Sequence, residues 1–422
     1  MGRASPAAIP PGITSAGARL SVVQKHVLIA GGGPAGMMLG LLLARAGLRV
    51  TVLEKHADFL RDFRGDTIHP STLELMYELG LLEAFLRLPH QEMRHVDGQL
   101  GDRRLPVADL TRLPSHCRFL AIMPQWDFLN FLAAEGARYP KFTLLMRTEA
   151  KGLITTGERV TGLQAAAPDG PLDIRADLVV GADGRHSTIR AAAGFTVTQI
   201  GAPMDVLWFS LPRRESDGDP PLGRFDRGRI FIMISRGDHW QCGYVIAKGT
   251  IEQIRAQGLP AFRAAVSRLA PFIADRVAEI GDWEDVKLLT VAVDRLPRWY
   301  RDGLLCIGDA AHAMSPVGGV GINLAIQDAV AAANLLAAPL AQSRLATADL
   351  RAVQRRREWP TRVTQRLQVM IQNRVISRVL DDQKALPMPL ALRLAARFPW
   401  MRRLIGRVIG LGIRPEHVRT PG

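Results

Sequence analysis

Cysteine is scarce in this chain of 422 residues: there are three, Cys117, Cys242 and Cys306, and no two are spaced as CxxC. An odd, scattered set argues against a disulfide framework and a thiolate zinc site, and it fits a reducing, cytoplasmic compartment. Cys306, among apolar neighbours, reads as a small core residue. Val27 to Ala44 carries no charge, yet Gly-Gly-Gly-Pro interrupts it, so it does not read as a membrane span. The first 24 residues hold no acid and lack a continuous apolar segment, which argues against a secretory signal and leaves a disordered tail. Acid is also what the C-terminal segment lacks. From Arg351 onward fifteen arginines and Lys384 face only Glu358, Asp381, Asp382 and Glu416, a net +12 out of the chain's +14. The positive excess therefore belongs to that segment and not to the body before it. With 47% apolar residues, the chain has room for two or three soluble α/β domains.

The body is organised around Val27 to Glu54. Val27-Leu28-Ile29-Ala30 is an apolar run suited to a strand buried on both faces. Gly31-Gly32-Gly33-Pro34-Ala35-Gly36 follows in the pattern GxGxxG, then an apolar helix from Met37 to Ala46, and a second strand from Leu48 to Leu53. Gly31 permits the tight turn, Gly33 lets backbone approach a pyrophosphate, and Gly36 lets helix and sheet pack closely. The helix N-terminus offers free N–H groups and positive dipole to phosphates. Glu54 ends the second strand, at the distance where an acid takes ribose hydroxyls, with Lys55 beside it. Together these pieces specify a dinucleotide site.

Arg61 and Arg64 follow in a loop, where they serve either an anionic cofactor or the solvated surface. A helix is expected from Ser71 to Leu81 with a serine cap, and another from Met123-Pro124-Gln125-Trp126 to about Arg138. Asp177-Leu178-Val179-Val180 and Gly303-Leu304-Leu305-Cys306-Ile307 are two more buried-strand runs. The first ends in Asp183-Gly184 and the second in Gly308-Asp309, so each puts an acid and glycine where open α/β sheets bind ligands. Pro316 to Asn323 is a glycine-rich loop feeding a helix to about Leu336, a second anion cradle. Between them, 206–246 is β-rich, and Trp208, Phe231, Met233, Trp240 and Tyr244 there wall an apolar pocket or form plain core.

Three motifs in this order, GGGPAG with Glu54, Asp183-Gly184, and Gly308-Asp309 with PVGGVGIN downstream, resemble the class A flavoprotein monooxygenases of the para-hydroxybenzoate hydroxylase fold. The resemblance covers about residues 25 to 340. It implies a Rossmann-like FAD-binding domain, assembled from 25–95, 121–200 and 286–345, and an inserted antiparallel β-sheet substrate domain from 96–120 and 201–285. A basic helical segment, 346–422, completes the α/β fold. It further implies that Gly31, Gly33, Ala35 and Gly36 hold the FAD pyrophosphate and Glu54 the ribose. Arg64 and Gln125 match positions at the phosphates and ribityl chain, and Asp309 the ribityl acid. Gly321, Ile322 and Asn323 match the backbone that meets the isoalloxazine ring, and Asp183 an acid tied to both FAD and NAD(P)H.

The implied activity is hydroxylation of an aromatic or lipophilic ring, using NAD(P)H and O2 through a flavin C4a-hydroperoxide. No second strand-GxGxxG-helix unit is present to bind the reductant, and no metal cluster or catalytic triad appears. Tyr244, His239 and His312 are candidate bases, none of them assigned. The loop departs from the family in having Ser315 before Pro316 and an apolar Val320. A flavin oxidase or reductase on the same fold is the alternative, and a non-redox binding protein of the Rab GDP-dissociation inhibitor type a remoter one. In the C-terminal segment, Leu367, Met370, Ile371, Val375 and Val379 share a helical face expected to be buried. Trp400, Met401, Leu404, Ile405, Val408 and Ile409 repeat likewise with Arg402, Arg403 and Arg407 around them. That helix either docks on the body or lies peripherally on the inner face of an anionic membrane. Nucleic acid is not expected as a partner.

Overall fold

The computed structural model describes residues 25–60, 67–101, 103–218, 222–226, 228–376, 379 and 390–421. The expected N-terminal tail, Arg61 and Arg64 lie outside them. The chain opens with β1 (His26–Ala30), α1 (Pro34–Arg45) and β2 (Arg49–Leu53). Helix α2 (Pro70–Glu78) leads to β3 (His95–Leu100) and β4 (Arg103–Asp109), then α3 (Gln125–Ala137) and β5 (Phe142–Leu145). A three-stranded antiparallel sheet within 149–175 precedes β6 (Leu178–Gly181). Next come β7 (Met204–Pro212), β8 (Gly223–Asp226), β9 (Arg229–Ser235), β10 (His239–Ala247), α4 (Leu259–Leu269) and β11 (Lys287–Leu289). The chain closes with β12 (Tyr300–Arg301), β13 (Leu304–Cys306), α5 (Gly321–Ala341), α6 (Thr347–Ile371), α7 (Leu390–Arg397) and α8 (Pro399–Leu411).

The main sheet has the order β12-β13-β6-β1-β2-β5, parallel except for the β12 edge. Its centre is buried on both faces, as the apolar run of β1 requires. Val27 and Ile29 join the core under α1 and α5, while Leu28 and Ala30 pack with the small three-stranded sheet. This alternation explains why β1 carries no polar side chain after His26. Helix α5 lies within a stretch long and apolar enough to cross a membrane, but that stretch is mostly buried and serves as a core helix.

The second sheet runs β11-β7-β10-β9-β8-β3-β4, antiparallel except where β8 meets β3. Its two faces do different work. Phe231, Met233, Trp240 and Cys242 form a core with Phe262 and Val266 of α4, and Tyr244 packs against it. Trp208, Val206, Ile230 and Val245 turn the other way and cluster with Val317, Ile376 and Val379. Of the five bulky residues expected at a pocket wall or in core, only Trp208 faces the glycine-rich loop; the other four are core on the reverse side.

Three expectations about helices are corrected. Helix α2 begins at Pro70, with His69 as its N-cap, so Ser71 lies inside the first turn and caps nothing. The end of α6 turns its apolar residues outward: Leu367, Met370 and Ile371 are 37%, 47% and 43% exposed, whereas Val379 beyond it is buried as expected. Gln354, Gln365 and Gln368 occupy the inner face instead, because the backbone beneath offers carbonyl and N–H groups that only polar side chains satisfy. Helix α8 does dock on the body, but through Gly406 and Gly410. A Cβ at Gly406 would stand 2.1 Å from the Asp109 carbonyl oxygen, and one at Gly410 2.7 Å from Leu113 Cδ1. Trp400 and Leu404, expected on the apolar face, are 59% and 53% exposed. Close backbone approach decided the docking face.

Candidate active site

The parallel sheet sets β2, β1, β6 and β13 side by side, so their C-terminal ends bring Glu54, the glycine turn, Asp183 and Asp309 to one edge. At the glycine turn, Gly31 has φ of +107°, and a Cβ there would meet the Ala182 carbonyl oxygen at 2.4 Å. Only glycine fits. Gly36 is equally constrained, with 2.0 Å from a would-be Cβ to the Gly31 oxygen. Gly33 is different, because a Cβ there would meet nothing within 4 Å. It faces open space at the N-terminus of α1, whose first N–H groups have no partner within the helix.

Glu54 is buried at the end of β2. Its two carboxylate oxygens accept the Gly32 N–H at 3.1 Å and the His56 N–H at 3.0 Å. This fixes the carboxylate beside the glycine turn. Lys55, next to it, is exposed. Gln125 opens α3, is only 8% exposed, and its amide has no hydrogen-bond partner among the described residues. Its amide is not sealed from solvent, so it can engage a bound group at this position.

Asp183 uses its carboxylate within its own loop: it accepts the Ser187 hydroxyl at 2.5 Å and the Ile189 N–H at 3.1 Å. Burial pushes its pKa up, against the pull of those hydrogen bonds. Asp309 lies in a short turn at the end of β13, with Arg185 NH2 3.9 Å from its Oδ2. The Asp183-Gly184-Arg185 loop and the Gly308-Asp309 turn are thus neighbours across β6 and β13. Cys306 beneath them is fully buried, as expected, and burial pushes its thiol up.

Gly321, Ile322 and Asn323 form the first turn of α5. The Asn323 amide is fully engaged by protein: its oxygen accepts the His69 N–H at 2.9 Å and the Thr72 hydroxyl at 2.8 Å, and its nitrogen donates to the Thr67 oxygen at 3.0 Å. Its contribution to a ring site would therefore be backbone, while the side chain pins the loop to α2. Sequence reasoning missed Thr67, His69 and Thr72, and their only signal was polarity at positions that pattern analysis gives to a helix cap. It also missed Asp328, fully buried in α5. Asp328 accepts the Gly308 N–H at 3.1 Å, His312 Nε2 at 2.6 Å and Arg357 Nε at 3.0 Å. Burial alone would raise its pKa, but His312 and Arg357 more than offset this and hold it low.

None of the candidate bases reaches the space before the loop. Tyr244 is on the α4 side of the second sheet, His239 pairs with Asp238 at the strand end, and His312 is spent on Asp328. What the site offers is two helix N-termini, hydroxyl acceptors between them, and an apolar wall led by Trp208. Such an arrangement suits a long dinucleotide laid along the sheet edge, its far end toward the apolar cluster around Trp208. With Gly33 facing open space at the α1 N-terminus and the Gln125 amide accessible, the residues present fit FAD.

Comparisons with known proteins agree. The family model for an FAD binding domain matches residues 24–367. The 6-methylpretetramide 4-monooxygenase of Streptomyces rimosus is 35% identical over 384 residues, covering 90% of this chain and 91% of that protein. Among solved structures, p-nitrophenol 4-monooxygenase of Pseudomonas putida superposes with a TM-score of 0.74 at 18% identity, covering 93% of this chain and 99% of that one. The anhydrotetracycline hydroxylase of Streptomyces rimosus gives 0.71 at 23%, covering 93% and 77%. With its FAD-type sheet edge, its second sheet and its helical C-terminal region, the chain belongs to the family of FAD-dependent aromatic monooxygenases of the para-hydroxybenzoate hydroxylase class.

Proposed function

We propose that this monooxygenase hydroxylates a ring of a fused aromatic substrate, with NAD(P)H as reductant and O2 as oxygen source. The observation that supports the proposal is the sheet edge that brings the glycine turn, Glu54, Asp183 and Asp309 together, with the α5 N-terminus feeding from the glycine-rich loop beside it. Similarity to 6-methylpretetramide 4-monooxygenase over nine-tenths of both chains supports a polycyclic phenol. When bound, FAD supplies the redox chemistry and activation of O2. Gly33 and the α1 N-terminus would hold its pyrophosphate, Glu54 the ribose, Gln125 and Asp309 the ribityl region, and Gly321 and Ile322 the ring through backbone. Arg64, matched to the phosphates by resemblance, remains part of this reading. The α5 dipole would stabilise negative charge on the reduced ring. The packed cluster of Val206, Trp208, Ile230 and Val245 backs the 313–320 loop and would keep water from that side.

The exposed Phe398, Trp400 and Leu404 stand beside the exposed Arg397, Arg403 and Arg407, which supports peripheral contact with an anionic membrane surface. Cytoplasmic placement accompanies that reading. The deciding experiment supplies NADH or NADPH, 18O2 and a panel of mono- and polycyclic phenols to the FAD-loaded protein, with mass spectrometry as readout. A product two mass units heavier with 18O2 than with 16O2 establishes the hydroxylase. NAD(P)H consumption with hydrogen peroxide and no oxygenated product, across the panel, favours the oxidase or reductase alternative.

A further inference from the structure

The loop before α5 is held from an unexpected side. Gln365 Nε2 donates to the Asp294 oxygen at 2.8 Å and the Ala313 oxygen at 3.0 Å. Gln368 accepts the Ser315 N–H at 3.3 Å and donates to the Ser315 and Val317 oxygens at 2.9 and 2.8 Å. Gln372 donates to Ser315 Oγ at 2.6 Å, and the same hydroxyl accepts the Val317 N–H at 3.2 Å. The three glutamines are 1%, 4% and 0% exposed. Their spacing of three and four residues places them on one face of α6 and the π-helical turn that follows it, Gln372–Ile376.

We propose that Gln365, Gln368 and Gln372 are positioning residues that fix the 313–320 loop, and with it the N–H groups of the α5 first turn, against the flavin ring. The inference rests on the FAD monooxygenase reading. The choice of glutamine follows from what the loop presents, which is carbonyl oxygens and an N–H side by side. A primary amide supplies donors and an acceptor together, whereas a carboxylate supplies no donor and a basic side chain adds a charge without a counter-ion. The orientation of α6 points the same way. Burying Leu367, Met370 and Ile371 would release apolar surface from water, yet these residues face outward and the amides face in. The π-helical turn belongs to the same device, since it carries Gln372 to Ser315 and Ile376 to the apolar wall. Ser315, where this chain departs from the family's pattern, is the residue on which Gln368 and Gln372 converge.

The test compares wild type with Gln368→Met, Gln368→Glu and Gln372→Leu, using the full chain. FAD dissociation constant, flavin midpoint potential and melting temperature with and without FAD are read for each. For Gln368→Met we expect FAD affinity to fall about tenfold. The midpoint potential should become more negative, because N–H groups that are no longer fixed stabilise the reduced ring less. Gln368→Glu should be more severe at neutral pH and partly recover at acid pH, where its carboxyl regains a donor. Gln372→Leu loses one side-chain bond and keeps the readout if the Gln368 variants do not fold. An equal drop in melting temperature with and without FAD, at unchanged affinity and potential, would overturn the proposal and leave the glutamines as fold stabilisers. A wild-type protein that binds no FAD would remove the monooxygenase reading itself, and this inference with it.

Discussion

Gly33 and Gly36 stand three residues apart in one motif and answer to opposite constraints. A side chain at Gly36 collides with protein backbone, while one at Gly33 enters space the protein leaves open. Gly36→Ala is therefore expected to destabilise the apoprotein by about 3 kcal/mol or more through overpacking. Gly33→Val should leave apoprotein stability within about 0.5 kcal/mol and still weaken FAD binding at least about tenfold. Denaturant unfolding and FAD titration of the two apoproteins check the contrast. His69 yields a pH prediction. Burial lowers its pKa from 6.5 to about 4, and its Nδ1 lies 2.7 Å from the Ile409 carbonyl oxygen. A histidine whose folded pKa is depressed stabilises the fold above its unfolded value, and that contribution is lost as pH falls from 6.5 toward 4. The difference corresponds to about 3 kcal/mol. Unfolding free energies of wild type and His69→Gln, measured across that window, should converge at acid pH from a wild-type advantage near neutrality.

At the scale of elements, β1, α1 and β2 were legible because local chemistry dictates them: an apolar run, a turn only glycine can make, and an acid at a fixed distance. The strands before Asp183 and Asp309 were legible for the same reason. Helices α6 and α8 show where such reading stops. Periodicity reports which residues share a face, but the direction of that face is set by what lies beneath it, and this is a long-range property. Under α6 lies irregular backbone needing amides, and under α8 lies the β4 edge with the turn after it, which admit a helix only where side chains are absent. Gly406→Val is thus expected to lift α8 from β4, since a 2.1 Å approach to the Asp109 oxygen leaves no room for a Cβ. Limited proteolysis should cut within 390–411 faster in that variant, and the Trp400 emission spectrum should change little because its ring is already in water. Unchanged protection would mean that α8 is held by its other contacts alone. Trp208 makes the same point for strands. Alternation placed it opposite Leu207 and Phe209, but only the second sheet's packing on α4 showed which side faces the glycine-rich loop before α5.

Across the whole molecule, the C-terminal tail ties together the helices that cover the main sheet and links them to the cofactor edge through Glu416 and Arg357. The tail after α8 crosses α1, α2, α5 and α6: Arg45 donates to the Thr420 oxygen, the Val418 N–H to Glu78, and the Arg419 N–H to Asn334. Its anchor is Glu416, only 6% exposed, which pairs with Arg356 at 2.7 and 2.9 Å and with Arg357 at 3.3 Å. Arg357 in turn reaches Asp328, whose other oxygen takes the Gly308 N–H beside Asp309. Acid-poor as the C-terminal segment is, one of its four acids is thus buried where it neutralises two of the arginines. Such a network contributes little net stability when complete, and its loss is expensive because a buried charge is left without its partner. Glu416→Gln strips Arg356 of its charged partner and leaves Arg357 to Asp328 alone. It is expected to destabilise the fold by about 3 kcal/mol, within the range for breaking a buried pair from one side. If the tail also holds the Gly308-Asp309 turn in place, the stabilisation gained on adding saturating FAD should shrink in this variant. Should that gain equal the wild type's while overall stability falls, the tail closes the fold and leaves the cofactor turn to Asp328 and His312.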